Sequence, residues 1–167
     1  DNPGRWDLSS VVMIVSSGTM WSREVKHGLV AHMPQVTLLD SFGSSEAVGF
    51  GMSATTKDGE TATAKFTLGT DVAVFTPDHK PVVAGSNEPG YIARGGNIPV
   101  GYWKDEAKTA KTFFMIDGQR WSIPGDYCLV NADGSITLLG RGSACINTAG
   151  EKVYPEEVEE TLKLHDT

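Results

Sequence analysis

The first fifty residues combine two short apolar runs with one helical pattern. Residues 11–15 are apolar and rich in β-branched side chains, which predicts a buried strand. Apolar side chains then recur at every fourth position, which predicts a helix that Thr19 caps and Pro34 ends. This apolar stripe comprises Trp21, Val25, Leu29 and Met33. A second strand at residues 36–39 completes a strand-helix-strand unit, which is typical of a parallel sheet with ligands at its carboxyl edge.

From residue 49 the pattern changes to short strands separated by Gly, Pro, Asn and Asp. The predicted strands span residues 64–68, 72–75, 90–94, 113–116, 127–130 and 136–139. Asp117-Gly118 and Asp133-Gly134 are strong hairpin signals, and a helix is predicted at about residues 105–112. This segment predicts a small antiparallel β-barrel or sandwich. A short hairpin and a helix from Pro155 are expected after Arg141.

Composition narrows the class of protein. The chain has 167 residues, 40% of them hydrophobic, which suits one well-buried domain. The net charge is −7 and no basic cluster is present, which argues against a nucleic-acid partner. No apolar run approaches the roughly 20 residues of a transmembrane helix. Two cysteines, Cys128 and Cys145, form neither a disulfide framework nor a metal site, and they favour a reducing cytoplasm.

Three motifs lie in order along the chain. Residues 40–46 read Asp-Ser-Phe-Gly-Ser-Ser-Glu, which we interpret as a glycine turn leading into a hydroxyl and a carboxylate. Residues 124–126 read Pro-Gly-Asp, and residues 140–159 join Gly-Arg to a glycine-rich turn and a Pro-Glu-Glu-Val-Glu run. Together these motifs resemble those of the adenylate-forming acyl-CoA synthetases. The residues after position 140 are most similar to the fatty-acyl and steroid-side-chain CoA ligase branch.

The resemblance implies a mixed α/β fold in which the end of a synthetase N-terminal domain precedes the start of its small C-terminal domain. Residues 1–48 would form the strand-helix-strand end of the second sheet subdomain, and residues 49–140 a β-barrel subdomain. Residues 141–167 would form the hinge and a truncated C-terminal domain. The implied reaction converts a carboxylic acid, ATP and CoA into acyl-CoA, AMP and pyrophosphate through an acyl-adenylate. It uses Mg²⁺, and the acid would be a fatty or steroid side-chain acid.

The resemblance also assigns roles within the first motif. Phe42 would offer a face to adenine, and Asp40 would accept a hydrogen bond from the adenine amino group. Ser45 would contact a phosphate, and Glu46 would ligate Mg²⁺ through a hard oxygen. The implied nucleotide-binding set also includes Gly18, Ser41 and Gly43. Without the motif, Phe42 would be interpreted as core packing and Glu46 as a solvated surface charge.

Further roles follow for the later motifs. Asp126 would accept hydrogen bonds from both ribose hydroxyls, and Arg141 would contact ribose or phosphate. Ser143 matches the hinge position, and Gly150 falls in the loop that approaches the pantetheine thiol in the resembled enzymes. Otherwise Asp126 would be an ordinary turn residue and Arg141 part of a surface ion pair, which typically stabilises a fold by under ~1 kcal/mol.

Two parts of the synthetase machinery are missing from the chain. It contains neither the glycine-rich pyrophosphate loop nor the late lysine in a Gly-Lys context, so we expect an internal piece of a longer enzyme that is inactive alone. Two alternatives remain open: an adenylation enzyme that loads a carrier protein, and a non-catalytic β-barrel binding module. We expect a cytoplasmic protein; peripheral membrane association and a homodimer are left open.

Overall fold

The computed structural model describes residues 5–18, 21–59, 65–141, 146–148 and 151–153, together with Val158, Thr161 and Leu162. The strands are β1 (Met13–Ser17), β2 (Thr37–Ser44), β3 (Ala47–Thr55), β4 (Lys65–Leu68), β5 (Val72–Phe75), β6 (Gly90–Arg94), β7 (Phe113–Ile116), β8 (Gln119–Ser122), β9 (Asp126–Val130), β10 (Ile136–Arg141), β11 (Ile146–Thr148) and β12 (Glu151–Val153). The helices are α1 (Arg23–His32) and α2 (Glu106–Thr112). The predicted mixed, sheet-dominated α/β class is confirmed. Neither helix combines the length and the apolar content needed to cross a bilayer within these described ranges.

The strand-helix-strand unit forms as predicted, with β1 and β2 parallel and in register from Met13 opposite Thr37. Two details of α1 differ from the prediction. Ser22, and not Thr19, caps the helix, because its side chain accepts a hydrogen bond from the backbone N–H of Val25. The predicted stripe is also rotated, since Val25 is 47% exposed while Lys26 is buried. The apolar cluster under the helix consists of Val30, Met33, Val36 and Leu38.

The first motif does not form the glycine turn that its sequence predicts. Strand β2 continues through Gly43 to Ser44, and the turn lies at Ser45 and Glu46 before β3, a strand that the sequence analysis missed. A Cβ atom on Gly43 would lie 3.0 Å from the backbone nitrogen of Gly49. Glycine is therefore needed at position 43 for the close approach of two backbones at an irregular strand pair.

The described strands β1 to β10 form one continuous sheet of mixed direction. Its order is β1-β2-β3-β4-β10-β9-β6-β8-β7, with β5 beside β6. The sheet curls around a core to which six strands contribute. The buried core residues are Ala47, Phe50, Phe66, Val74, Ile92, Cys128 and Ile136. Arg94 of β6 donates to the backbone carbonyls of Gly49 and Thr70, which ties the curled sheet together, although the described strand pairs leave it open.

The later elements follow the turn signals closely. Asp117 and Gly118 both have positive φ, 51° and 77°, and they join β7 to β8, although the sequence analysis missed β8 itself. Asp105 caps α2 by accepting a hydrogen bond from the N–H of Lys108. The hairpin expected after residue 141 forms between β11 and β12. Val158, Thr161 and Leu162 have helical backbone, whereas the predicted helix start at Pro155 lies outside the described residues.

The division into segments 1–48, 49–140 and 141–167 stays a prediction. Strand β3 begins at Ala47 and pairs with β2 on one side and β4 on the other, so one sheet runs across the first proposed boundary.

Candidate functional site

The turn between β2 and β3 places the Glu46 carboxylate beside a tyrosine from a distant loop. The hydroxyl of Tyr102 donates a hydrogen bond to Oε1 of Glu46 at 2.5 Å. This hydrogen bond lowers the pKa of Glu46, and the positive charge of Lys108 lowers it further. Glu46 is therefore ionised at neutral pH. The sequence analysis did not assign Tyr102 to the site, because none of the three motifs contains it.

The second motif and the third meet at the end of one strand pair. Asp126 opens β9 and lies opposite Arg141, the last residue of β10, just beyond an irregularity in the strand register. Nε of Arg141 is 3.4 Å from Oδ1 of Asp126. Burial raises the pKa of Asp126, Arg141 opposes this shift, and the charge of Glu46 adds to it. The charges of Arg141 and Glu46 therefore both act on Asp126, with opposite sign.

Asp40 occupies a different environment from the other two acidic site residues. Its Oδ2 lies 2.5 Å from Nζ of Lys26, which projects from α1, and both side chains are almost completely buried. Its Oδ1 is buried without a hydrogen-bond partner among the described residues. A nucleotide contact at Asp40 would therefore have to use Oδ1, which is itself shielded from solvent in this structure. The sequence analysis missed Lys26, because the apolar periodicity placed it on the solvent side of the helix.

Phe42 packs against the hydrophobic core. Its ring centroid lies 5.1 Å from that of Phe50 and 5.5 Å from that of Phe66, both in tilted arrangements. The side chain remains half-buried, so only part of the ring is covered by these neighbours. The core explanation and the adenine-stacking explanation of Phe42 are therefore compatible.

The smaller predicted site residues cluster at the carboxyl edge of the parallel strands. Gly18 directly follows β1 and has φ +82°, a conformation that favours glycine. Ser41 lies opposite Ser17 in the neighbouring strand. Ser45 is exposed in the turn beside Glu46. Ser143 and Gly150 lie outside the described residues.

The residues present fit a magnesium ion shared with a nucleotide. Within the described ranges no group of three or more His, Cys, Asp or Glu side chains could hold a metal by itself. Mg²⁺ usually binds through one or two carboxylates and completes its coordination with water and substrate phosphates. An ionised Glu46 beside an exposed turn supplies one such carboxylate. The arrangement therefore suits a metal that arrives with phosphates.

Known proteins resemble this chain over almost its whole length. No protein-family profile matches it. It is 46% identical over 162 residues to a medium/long-chain-fatty-acid–CoA/3-oxocholest-4-en-26-oate–CoA ligase of Mycobacterium marinum, which covers 96% of this chain. It is 47% identical over the same length to a 3-oxocholest-4-en-26-oate–CoA ligase of Rhodococcus rhodochrous. The chain spans 29% of the length of each of these relatives.

Solved structures share the fold. The anthranilate CoA ligase AuaEII in complex with anthranoyl-AMP matches with a TM-score of 0.76 and 26% identity, over 95% of this chain and 30% of that one. Klebsiella oxytoca NpsA in complex with 3-hydroxyanthranilyl-AMSN matches with a TM-score of 0.74 and 20% identity, over 92% of this chain and 33% of NpsA. At 20% identity, the match to NpsA shows a shared fold alone.

Proposed function

Because this chain is homologous to a segment of the acyl-CoA ligases and has the fold of adenylate-forming enzymes, we propose that it forms much of the adenosine pocket of such a ligase. The whole protein would convert a carboxylic acid, ATP and CoA into acyl-CoA, AMP and pyrophosphate. An acyl-adenylate intermediate gives the acid a good leaving group before the thiol attacks. A cytoplasmic location of the protein stays a prediction from the sequence.

The electrostatic influence of both Glu46 and Arg141 on Asp126 is the observation that carries this proposal. Asp126 would accept hydrogen bonds from the two ribose hydroxyls, since a carboxylate has several acceptor sites. Arg141 is partly exposed and would contact the ribose or the α-phosphate with its fork of donors. Glu46 would bind the Mg²⁺ that the phosphates carry, which supplies charge neutralisation during transfer of the adenylyl group.

The names of the relatives suggest the class of acid. The M. marinum relative is named for medium- and long-chain fatty acids and for a steroid side-chain acid. We propose an acid with a large apolar portion as the substrate and CoA as the acceptor. Asp40, Ser41, Phe42, Gly43, Ser45 and Gly18 would complete the nucleotide-facing edge. Ser143 and Gly150 would serve the hinge and the thiol.

Calorimetric titration of the chain with AMP and with a non-hydrolysable acyl-adenylate analogue tests the pocket. We expect the analogue to bind more tightly than AMP, because the pocket of the whole enzyme is complementary to the activated intermediate. Asp126→Asn should lower the affinity for both ligands by about tenfold or more, the loss expected when hydrogen bonds to a charged group are removed.

Asp133→Asn is the matched control, since Asp133 lies in the β9–β10 hairpin turn and pairs with Lys65 at the surface. If the chain binds neither ligand, or if both variants lose affinity equally, the proposed pocket is wrong. Product analysis of the whole protein with CoA and with a holo-carrier protein, which bears a free pantetheine thiol, would identify the acceptor.

A further inference from the structure

Tyr102 is the strongest unassigned side chain at the site. Its hydroxyl reaches from the loop before α2 to the turn between β2 and β3, where it donates to Oε1 of Glu46. The Tyr102 hydroxyl has the largest effect on the pKa of Glu46, which hydrogen bonding by the backbone of Glu46 and by the Ser44 side chain also lowers. Tyr102 is therefore the main side-chain partner that orients this carboxylate.

Three contacts hold Tyr102 in place before any ligand binds, and a fourth interaction fixes its partner Thr109. Its backbone N–H donates to Oγ1 of Thr109 at 2.8 Å, and the hydroxyl of Thr109 donates to the backbone carbonyl of Asp105 at 2.8 Å. Nζ of Lys108 lies 4.0 Å from the centroid of the Tyr102 ring, and the ring of Phe113 meets it edge-on at 6.0 Å. The phenol is thus fixed by α2 on one side.

The preceding glycine shows how closely this loop packs on the helix. A Cβ atom at Gly101, which has φ +149°, would lie 2.6 Å from Cγ2 of Thr109. The loop could not approach α2 this closely with a side chain at position 101. A rigid support of this kind is what a metal-binding carboxylate needs, because ligand orientation is commonly set by hydrogen bonds to the ligating group.

We propose that Tyr102 is a positioning residue that holds Glu46 in the orientation that binds the magnesium of Mg·ATP. This inference rests on the proposed function, because it takes Glu46 as the metal ligand. Tyr102 occupies one carboxylate oxygen and leaves the other for the cation. Without the hydroxyl, Glu46 is free to turn toward solvent, and each metal-binding event must first order its side chain.

The test compares ATP affinity with Mg²⁺ present and with EDTA, by calorimetry on the chain. The ratio of these two affinities isolates the contribution of the metal. In the wild type we expect Mg²⁺ to strengthen ATP binding. Tyr102→Phe should lower this ratio by about tenfold, the size expected for one hydrogen bond to a charged group. Its ATP affinity in EDTA should stay unchanged.

Glu46→Gln should abolish the magnesium effect, and Tyr102→Phe in that background should have no further effect, because Tyr102 acts through Glu46. Tyr91→Phe is the matched control, since Tyr91 accepts a hydrogen bond from the hydroxyl of Tyr127 away from Glu46. It should preserve the ratio. Melting temperatures of all variants show whether the fold is retained.

Two results would overturn the inference while leaving the proposed pocket intact. One is that the ratio of ATP affinities with Mg²⁺ and with EDTA is the same in Tyr102→Phe as in Tyr91→Phe. The other is an equal loss of ATP affinity with and without metal, which indicates a purely structural role. If the wild-type chain binds ATP equally well with and without Mg²⁺, Glu46 is not the magnesium ligand and the inference is wrong. A chain that binds no nucleotide would overturn the proposed function itself.

Discussion

Two ion pairs in the described part of the chain differ in their separation and in the exposure of their cations, although both carboxylates are largely buried. In the Lys26–Asp40 pair the atoms lie 2.5 Å apart, and the side chains are only 2% and 7% exposed. In the Arg141–Asp126 pair the separation is 3.4 Å, and the Arg141 side chain is 56% exposed. The first pair joins α1 to β2 beneath the parallel strands, whereas the second closes the end of β9 and β10.

The difference separates a pair that maintains the fold from a pair that is free to bind. A fully buried cation left without its partner is costly, so neither Lys26 nor Asp40 can leave the other at little cost. An exposed arginine exchanges partners easily, because water already solvates it. In the proposed pocket, Arg141 would therefore turn from Asp126 to the ligand, whereas Asp40 would remain bound to Lys26.

Removal of the buried cation should give the largest effect on stability. Lys26→Met keeps most of the side-chain volume but leaves the Asp40 carboxylate buried and unpaired. We expect the free energy of unfolding to fall by about 3–5 kcal/mol, the usual cost of removing one member of a buried ion pair. Urea denaturation followed by tryptophan fluorescence would measure it.

Lys65→Met is the matched control for that variant. Lys65 also pairs with an aspartate, Asp133, at 2.8 Å, but both side chains are roughly half exposed. Its loss should change stability by less than about 1 kcal/mol. If Lys26→Met costs no more than Lys65→Met, the Lys26–Asp40 pair does not maintain the fold and the contrast between the two pairs disappears.

The sequence predicted the elements whose limits are set by local chemistry. Strands β5, β6 and β7 have the bounds expected from their flanking turn residues, and Asp117-Gly118 forms the turn that its dipeptide favours. Strand β3 was missed because Gly49 and Gly51 weaken its strand signal. A Cβ atom at Gly51 would lie 2.7 Å from the carbonyl oxygen of Thr67, a constraint that exists only after β4 has packed against β3.

At the candidate site too, the sequence analysis missed residues whose roles arise from tertiary contacts. The motifs predicted Glu46, Asp126 and Arg141 as site residues, and besides burial the charges of Arg141 and Glu46 both shift the pKa of Asp126. Lys26 and Tyr102 could not be found in this way. The burial of Lys26 depends on a tertiary partner, Asp40, which lies on the strand after its helix and compensates its charge. Tyr102 gains its role from a contact with a turn far earlier in the chain.

The pH dependence of stability should distinguish the Arg141–Asp126 pair from the surface Lys65–Asp133 pair. The effect should be smaller than that of Lys26→Met, because Arg141 offsets part of the charge of Asp126. Burial raises the pKa of Asp126 in the folded state above its ordinary value. Ionised Asp126 therefore destabilises the fold above the folded pKa, and this penalty disappears below the unfolded pKa. Asp126→Asn should thus be most favourable relative to the wild type at neutral pH, and its advantage should shrink in acid.

Asp133 provides the opposite sign for comparison. Hydrogen bonds from Lys65 and Ser135 lower its pKa, so its ionised form stabilises the fold above the unfolded pKa and this contribution is lost as the pH falls. Asp133→Asn should therefore be least favourable at neutral pH. Urea denaturation of both variants across this pH range would show whether the trends diverge. Parallel trends would mean that the Asp126 carboxylate is not desolvated.

Replacement of the exposed partner should give the smallest change in stability. Arg141→Gln removes a half-exposed cation whose pairing distance is already long, so the free energy of unfolding should fall by less than about 1 kcal/mol. The affinity for AMP should nevertheless fall by several-fold, roughly the contribution of a charge-assisted hydrogen bond. Denaturation and calorimetry on the same sample would measure both. A loss of stability as large as that of Lys26→Met would place Arg141 among the residues that hold the fold, and the two pairs would then differ in exposure without differing in role.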